Sequence, residues 1–100
     1  MEMNQYGAAA RAHWQSKLAG RLAQINDPEA FFTRLGEEAQ RQIAQYRETL
    51  QDAAPPADGY LEENARLSTA AKTAESHIMR TLIYVDPADQ ETVRELMRLA

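Results

Sequence analysis

The 100-residue chain contains no cysteine, and glycine and proline are sparse, with four of each. The absence of cysteine excludes disulfides, thiolate catalysis and cysteine-based zinc sites. The few glycines are scattered, so no glycine-rich loop of the kind that cradles phosphates occurs. Little of the usual chemistry of enzymes and metalloproteins is therefore available to this chain.

Long apolar runs are also missing, and the mean hydropathy is −0.60. We therefore expect no membrane span and no membrane partner. The first residues, Met1–Gln5, lack the basic and apolar segments of a secretory signal. Together with the missing cysteine, this favours a cytoplasmic location.

The charge is acidic overall and unevenly distributed. Eleven basic and fifteen acidic residues give a net charge of −4, and such a surface does not attract nucleic acid by default. Residues 1–26 carry one acid and three bases, a local charge of +2, whereas residues 27–58 carry seven acids and three bases, a local charge of −4. The first 26 residues are therefore basic, and the segment that follows them is acidic.

Capping signals divide the sequence into helices. Asp27-Pro28 and Asp86-Pro87 each read as a helix start, because Asp caps free backbone N–H groups and Pro fits the first helical position. Residues 53–59 (AAPPADG) form the strongest internal break. The sequence predicts a single all-α domain over residues 1–100 with helices at about 5–24, 28–53, 60–84 and 87–99.

Hydrophobic spacing predicts how these helices pack. The second helix alternates apolar residues at intervals of three and four, close to a heptad pattern. The second and third helices would each be about 38 Å long, and the short break between them predicts an antiparallel hairpin with Leu67 near Tyr46. The N-terminal helix would pack on this hairpin, with Trp14 filling the space beside the small residues Ala70, Ala71 and Ala74. The short C-terminal helix would be an appendage.

Residue pairs that could support catalysis are absent from the sequence. Neither His13 nor His77 has an acidic residue or a second histidine three or four positions away, so no helical metal site is predicted. The three serines, Ser16, Ser68 and Ser76, all fall inside predicted helices rather than on exposed turns. We therefore predict a non-enzyme with no catalytic, cofactor-binding or metal-binding residues.

Two features favour a surface that binds another protein or protein complex. Phe31 is adjacent to Phe32, and both cannot face one stripe, so Phe31 either meets the first helix or contacts a partner. Acidic residues along the second helix could meet a groove rich in Arg and Lys, as in an acidic inhibitor of a nucleic-acid-handling or defence complex. These residues are Glu29, Glu37, Glu38, Glu48 and Asp52.

Two other functions are compatible with the pattern. Arg11, Lys17 and Arg21 could form a basic face on the first helix, typical of a DNA-associated accessory factor. Alternatively, the seam of the second and third helices could mediate self-association into a homo-oligomer. Asn64 on that seam either marks the frayed entry of the third helix or is a buried amide that fixes register.

A set of residues on the first and third predicted helices forms a further pattern. It comprises Trp14-Gln15 and Leu18, then Arg66-Leu67-Ser68-Thr69, Ala74-Glu75, Ile78-Met79 and Leu82-Ile83-Tyr84. The pattern, over residues 12–84, resembles the transposon-encoded TnpV-type proteins and small helical proteins from mobile elements of GC-rich bacteria. Ser68 and Thr69 stand where that family has an Asn pair. The resemblance implies a mobile-element accessory protein with no catalytic residues to carry over.

Overall fold

Helices account for most of the computed structural model, which describes residues 2–53 and 58–99. The predicted break at residues 53–59 lies partly outside the described residues, which omit 54–57. Within the described ranges there is no strand, and the all-α prediction is confirmed. The elements are α1 (Gln5–Lys17), α2 (Ala19–Leu22), α3 (Pro28–Ala53), α4 (Tyr60–Ile78), a π-helical turn (Met79–Ile83) and α5 (Gln90–Met97).

The first helix is shorter than predicted. Asn4 caps it by accepting a hydrogen bond from the Gly7 N–H, at 2.9 Å. It ends at Leu18, whose backbone leaves the helical region (φ −132°, ψ 35°), and α2 follows as a separate turn. The predicted continuous helix over 5–24 is therefore wrong. Rotation of the backbone at Leu18 accompanies burial of its side chain in the core.

The start of α3 is where the sequence predicts it. The Asp27 carboxylate accepts from the Ala30 N–H at 3.2 Å, and Pro28 is the first helical residue. By contrast, the C-terminal helix begins later than predicted. Asp86 accepts from the N–H of Ala88 only two residues on, forming a local turn, and the helix cap is Asp89. The spacing of Asp86 and Asp89 therefore does not form a capping box.

The third predicted helix is confirmed in extent but not in uniform geometry. Gly59 occupies its N-cap position, and α-helical geometry continues to Ile78. The chain then widens into the π-helical turn, which the Tyr84 N–H closes by bonding to the Met79 carbonyl at 2.7 Å. Single π turns of this kind accommodate one extra residue within a helix and are frequent at functional sites.

The helices α1 and α3 pack antiparallel through two facing glycines. A Cβ atom on Gly7 would lie 2.5 Å from the Phe32 carbonyl oxygen, and one on Gly36 would lie 2.7 Å from the Gly7 nitrogen. At one end of this contact Trp14 meets Phe31, and at the other the Asn4 amide bonds to Gln40 at 3.3 Å. The first helix therefore covers only the first half of α3.

Aromatic rings fill the centre of the core. Trp14, Phe31 and Phe32 have no exposed surface, and their ring centroids lie 4.9–5.9 Å apart in edge-to-face geometry. The Trp14 Nε1 atom is buried without a hydrogen-bond partner among the described residues, so apolar contact holds the ring. From α5, Val93 and Leu96 complete the core.

The contacts between α3 and α4 differ from the predicted register. Tyr46 stacks on His77, with ring centroids 4.8 Å apart, rather than lying near Leu67. These two positions on α4 are ten residues, or about 15 Å, apart. Of the three small residues expected beside Trp14, only Ala74 belongs to the same core, because α1 packs on α3 and the π-helical turn instead. Asn64 is exposed, so it is not a buried amide.

The resulting molecule is elongated. Its principal extents are 52 × 30 × 20 Å, and its radius of gyration is 15.9 Å, against about 13 Å for a compact 100-residue domain. None of the helices in the described ranges combines the length and apolar character that crossing a bilayer requires. The extra length comes from the part of the α3–α4 hairpin that extends beyond α1.

Candidate protein-binding surface

The described part of the α3–α4 hairpin end, which omits 54–57, has no buried residue. We define the distal arm as residues 44–53 of α3 and 60–69 of α4, all of which are exposed or partly exposed. In contrast, every buried residue in the described ranges lies between 7 and 43 or between 70 and 96. The distal arm is thus a two-helix extension that no third element covers.

Large apolar side chains are exposed on this arm. Tyr60 is 81% exposed and Leu61 is 76% exposed. A groove of about 400 Å³ runs along the arm, lined by Leu50, Ala65 and Ala70 among others. Exposed apolar surface of this kind is typical of a protein-binding site.

The rim of the groove is held by one arginine. The Arg66 guanidinium donates to the Glu63 carboxylate and, at 2.8 Å, to the Gln51 carbonyl at the end of α3. These contacts raise the pKa of Arg66, chiefly through the hydrogen bond to Glu63. Arg66 therefore links the two helices of the distal arm where no apolar core does so.

Most of the protein's net charge lies on the distal arm. With Asp58 just before α4, the arm carries five carboxylates and two arginines, a net charge of −3 out of −4 for the whole chain. Glu48, Asp58 and Glu62 make no ion pair with any described residue. An apolar groove with an acidic border is complementary to a partner with apolar and basic residues.

The structure divides the predicted acidic residues into two groups. Glu48 and Asp52 lie on the distal arm, whereas Glu29, Glu37 and Glu38 lie on the first half of α3. Glu38 pairs with Arg41, three residues later on α3. Arg34 bonds to the Leu99 carbonyl at 3.0 Å.

Glu38 is the most constrained of these carboxylates. The Arg41 side chain donates to it from Nε at 3.1 Å and also from Nη2, and the Gln42 amide donates at 2.8 Å. These hydrogen bonds, that of Arg41 first, lower the pKa of Glu38. Its charge is largely compensated within α3, so it contributes less to an acidic surface than Glu37 does.

Phe31 is not part of any surface. Of the two interpretations of the Phe31-Phe32 pair, contact with the first helix is the one observed, since Phe31 packs on Trp14 with centroids 5.2 Å apart. Its side chain has no exposed area. The prediction that Phe31 contacts a partner is therefore wrong for this fold, because the crossing of α1 over α3 buries both phenylalanines.

The basic residues of the alternative site are only partly brought together. Lys17 and Arg21 line one open cleft with Pro87 and Gln90, and no carboxylate lines it. Arg11 is exposed but does not line this cleft. The predicted basic face is therefore smaller than the sequence suggested.

The two histidines make contacts between helices. His13 Nε2 lies 2.7 Å from the Val85 carbonyl oxygen, which fixes that nitrogen as the donor, and its ring meets the edge of Tyr84. His77 stacks on Tyr46. No group of three or more potential metal ligands occurs in residues 2–53 and 58–99.

Sequence reasoning missed the distal arm because it assigned the whole hairpin seam to the core. The predicted lengths carried part of the signal, because a first helix over 5–24 is already shorter than a second over 28–53. In the structure the difference is larger, since α1 has 13 residues and α3 has 26. No protein-family model matches the chain, and neither a curated protein nor a solved structure matches it.

Proposed function

We propose that this protein is a non-catalytic accessory protein that binds an amphipathic helix of another protein along the distal arm. The observation that carries the proposal is the complete lack of buried residues in that arm. The acidic, protein-binding function favoured by the sequence is retained, but the surface shifts from Phe31 and Glu37 to the end of the hairpin.

Two packed helices cannot enclose an apolar seam, so a helical hairpin gains its stability from a third element. At about 1.5 Å per residue, α1 spans roughly 20 Å of the roughly 39 Å of α3. Among the described residues, no third helix packs on the rest of the hairpin. A partner helix with apolar residues at i, i+3, i+4 and i+7 would fill it.

The charge of the distal arm supports one kind of partner. A helix with Lys or Arg beside its apolar stripe would face Glu62, which lines the groove, on an arm whose net charge is −3. A second copy of this chain would instead bring two arms of charge −3 together, which disfavours a homodimer. An arm this short makes a small interface, below about 1,200 Å², so we expect a transient, salt-sensitive complex.

Within this proposal, the cellular setting follows the sequence-based expectations. The partner would be a component of a host nucleic-acid-handling or defence complex in the cytoplasm, and the chain would derive from a bacterial mobile element. The resemblance to TnpV-type proteins and the acidic charge support this setting.

Site-specific photo-crosslinking in the native cells tests the proposal. A crosslinking amino acid at Leu61 or Ala65 is expected to capture one protein, through a segment with a basic amphipathic helical pattern. The matched control is Gln15, an exposed residue of α1 far from the arm. Three results would overturn the proposal. They are capture from Gln15 but not from the arm, capture of a second copy of this chain, and capture through an acidic segment.

The alternative, a DNA-associated factor, has one supporting observation. The cleft lined by Lys17 and Arg21 contains no carboxylate, so a phosphate could approach both side chains. A gel-shift assay at low salt tests it, since phosphate contacts are strongest there. Binding that is lost in a Lys17→Gln, Arg21→Gln variant would favour DNA, and absence of binding at micromolar protein would remove this alternative.

A further inference from the structure

A second surface, separate from the Leu50 groove, lies where α3 and α4 leave the core. Tyr46 and His77 stack there with their rings 18° from parallel. Two open clefts, of about 430 and 370 Å³, are each lined by both rings. Both side chains are half-buried, so each ring is fixed by its partner and still borders the clefts.

Positive charge surrounds this ring pair. Lys72 and Arg80 line one cleft, and Arg41 lines the other, while neither cleft is lined by a carboxylate. Arg41 is paired with Glu38, but Lys72 and Arg80 make no ion pair with any described residue. In a chain of net charge −4, two unpaired cations beside an aromatic pair form a distinct local environment.

The backbone around this surface is also distinctive. The π-helical turn begins at Met79, two residues after His77, and carries Arg80. Its wider turn changes where the following side chains project relative to a continuous α-helix. Arg80, near the start of this turn, follows Ser76, Thr73 and Lys72 by four, seven and eight residues, so it shares their helix face and lines the same cleft.

The geometry points to a nucleotide-binding surface, with the phosphate at Lys72 and Arg80 and the base against the Tyr46–His77 ring pair. The ammonium and guanidinium groups supply charge-assisted hydrogen bonds to phosphate oxygens, and the Thr73 and Ser76 hydroxyls can donate to the same oxygens. Aromatic side chains bind bases of any identity through stacking. The same chemistry serves a free nucleotide or one unit of a single-stranded nucleic acid.

Tyr46 belongs to the distal arm, but Lys72 and Arg80 lie outside it and neither Leu61 nor Ala65 takes part, so this inference and the distal-arm proposal can fail separately. The test is an NMR titration that follows the ring signals of Tyr46 and His77. The three probes are adenosine monophosphate, inorganic phosphate and a ten-nucleotide single-stranded DNA. Adenosine monophosphate is expected to shift both sets of ring signals and to bind more tightly than phosphate alone. Tighter binding of the oligonucleotide would identify nucleic acid as the source, and equal binding would identify a free nucleotide.

Two variants separate the contributions of charge and stacking. Lys72→Gln with Arg80→Gln removes the exposed cations and is expected to weaken nucleotide binding about tenfold. Tyr46→Leu removes the stacking ring and is also expected to weaken it about tenfold. The matched control, Arg94→Gln with Arg98→Gln, makes the same change in net charge at exposed positions outside both clefts and should alter affinity less than about twofold.

Three results would overturn the inference. The first is an absence of ring shifts up to about 10 mM adenosine monophosphate. The second is an equal loss of affinity in the Arg94, Arg98 control, which would indicate unspecific attraction of anions. The third is unchanged nucleotide affinity in the Lys72, Arg80 variant, whose substitutions lie on the surface and leave the core intact.

Discussion

Replacing Gly7 by Ala tests the close packing of α1 on α3. The added Cβ would lie 2.5 Å from the Phe32 carbonyl oxygen, whereas ordinary contact begins near 3.4 Å. The carbonyl belongs to the backbone of α3, so the two helices must separate by roughly 1 Å, and Trp14 must move with α1. Such overpacking costs about 1–3 kcal/mol, which exceeds the gain of at most about 1 kcal/mol in helix propensity. We expect the free energy of unfolding to fall by about 1–2 kcal/mol.

A matched substitution, Gly20→Ala, controls for helix propensity. No atom lies within 4 Å of a Cβ placed on Gly20, so this variant gains propensity without a clash. In a domain of this size, 1 kcal/mol shifts the melting temperature by about 4–8 °C. Thermal melts followed by circular dichroism should therefore show Gly7→Ala below the wild type by roughly 4–16 °C and Gly20→Ala at or above it. A rise in melting temperature for Gly7→Ala equal to that for Gly20→Ala would refute the packing argument.

Three further predictions concern the core and the helix termini. Trp14→Ala should lower the free energy of unfolding by about 3–5 kcal/mol, and Leu61→Ala should lower it by less than about 0.5 kcal/mol. Urea denaturation measures both, and equal losses would contradict the assigned core. His13→Phe leaves the Val85 carbonyl oxygen without its hydrogen-bond donor. We expect the free energy of unfolding to fall by about 1 kcal/mol in thermal melts, and unchanged stability would contradict this contact. The side-chain and backbone hydrogen bonds from Thr92 lower the pKa of Asp89 below its ordinary 3.8. Near this pKa the native state therefore binds fewer protons than the unfolded state. The stabilisation from the ionised carboxylate is present above the ordinary pKa and is lost as the pH falls through the lowered one. Asp89→Asn does not titrate, so its stability gap to the wild type should narrow between about pH 7 and pH 3, and a constant gap would contradict the role of the carboxylate.

The features that the sequence predicted correctly depend on a few neighbouring residues. Asp27 and Pro28 determine the start of α3 through capping and a fixed φ angle, and Ala53 ends it before a proline pair. The buried half of the α3 seam, from Phe32 to Ile43, follows from the heptad spacing. Such local signals act within one or two turns, so they can be identified without knowledge of the tertiary structure.

Features that depend on tertiary packing were not predicted. Burial of Phe31 requires α1 to cross α3 at Gly7 and Gly36, and no local pattern shows where two helices cross. The π-helical turn and the position of the C-terminal cap at Asp89 rather than Asp86 are likewise seen only in the folded chain. The two candidate surfaces could not be predicted either, since the distal arm and the ring pair are accessible only because α1 covers half of the hairpin.

Amide hydrogen exchange on the protein with and without the segment captured by crosslinking tests the central claim most directly. Without a partner, amides in 44–53 and 60–69 should exchange faster than those in the covered half of α3, because no buried side chains stabilise the arm. Adding the captured segment is expected to slow exchange in both parts of the arm by at least about tenfold, with little change in α1 and α5. Slower exchange confined to α1 or α5, or unchanged exchange in the arm, would contradict the account.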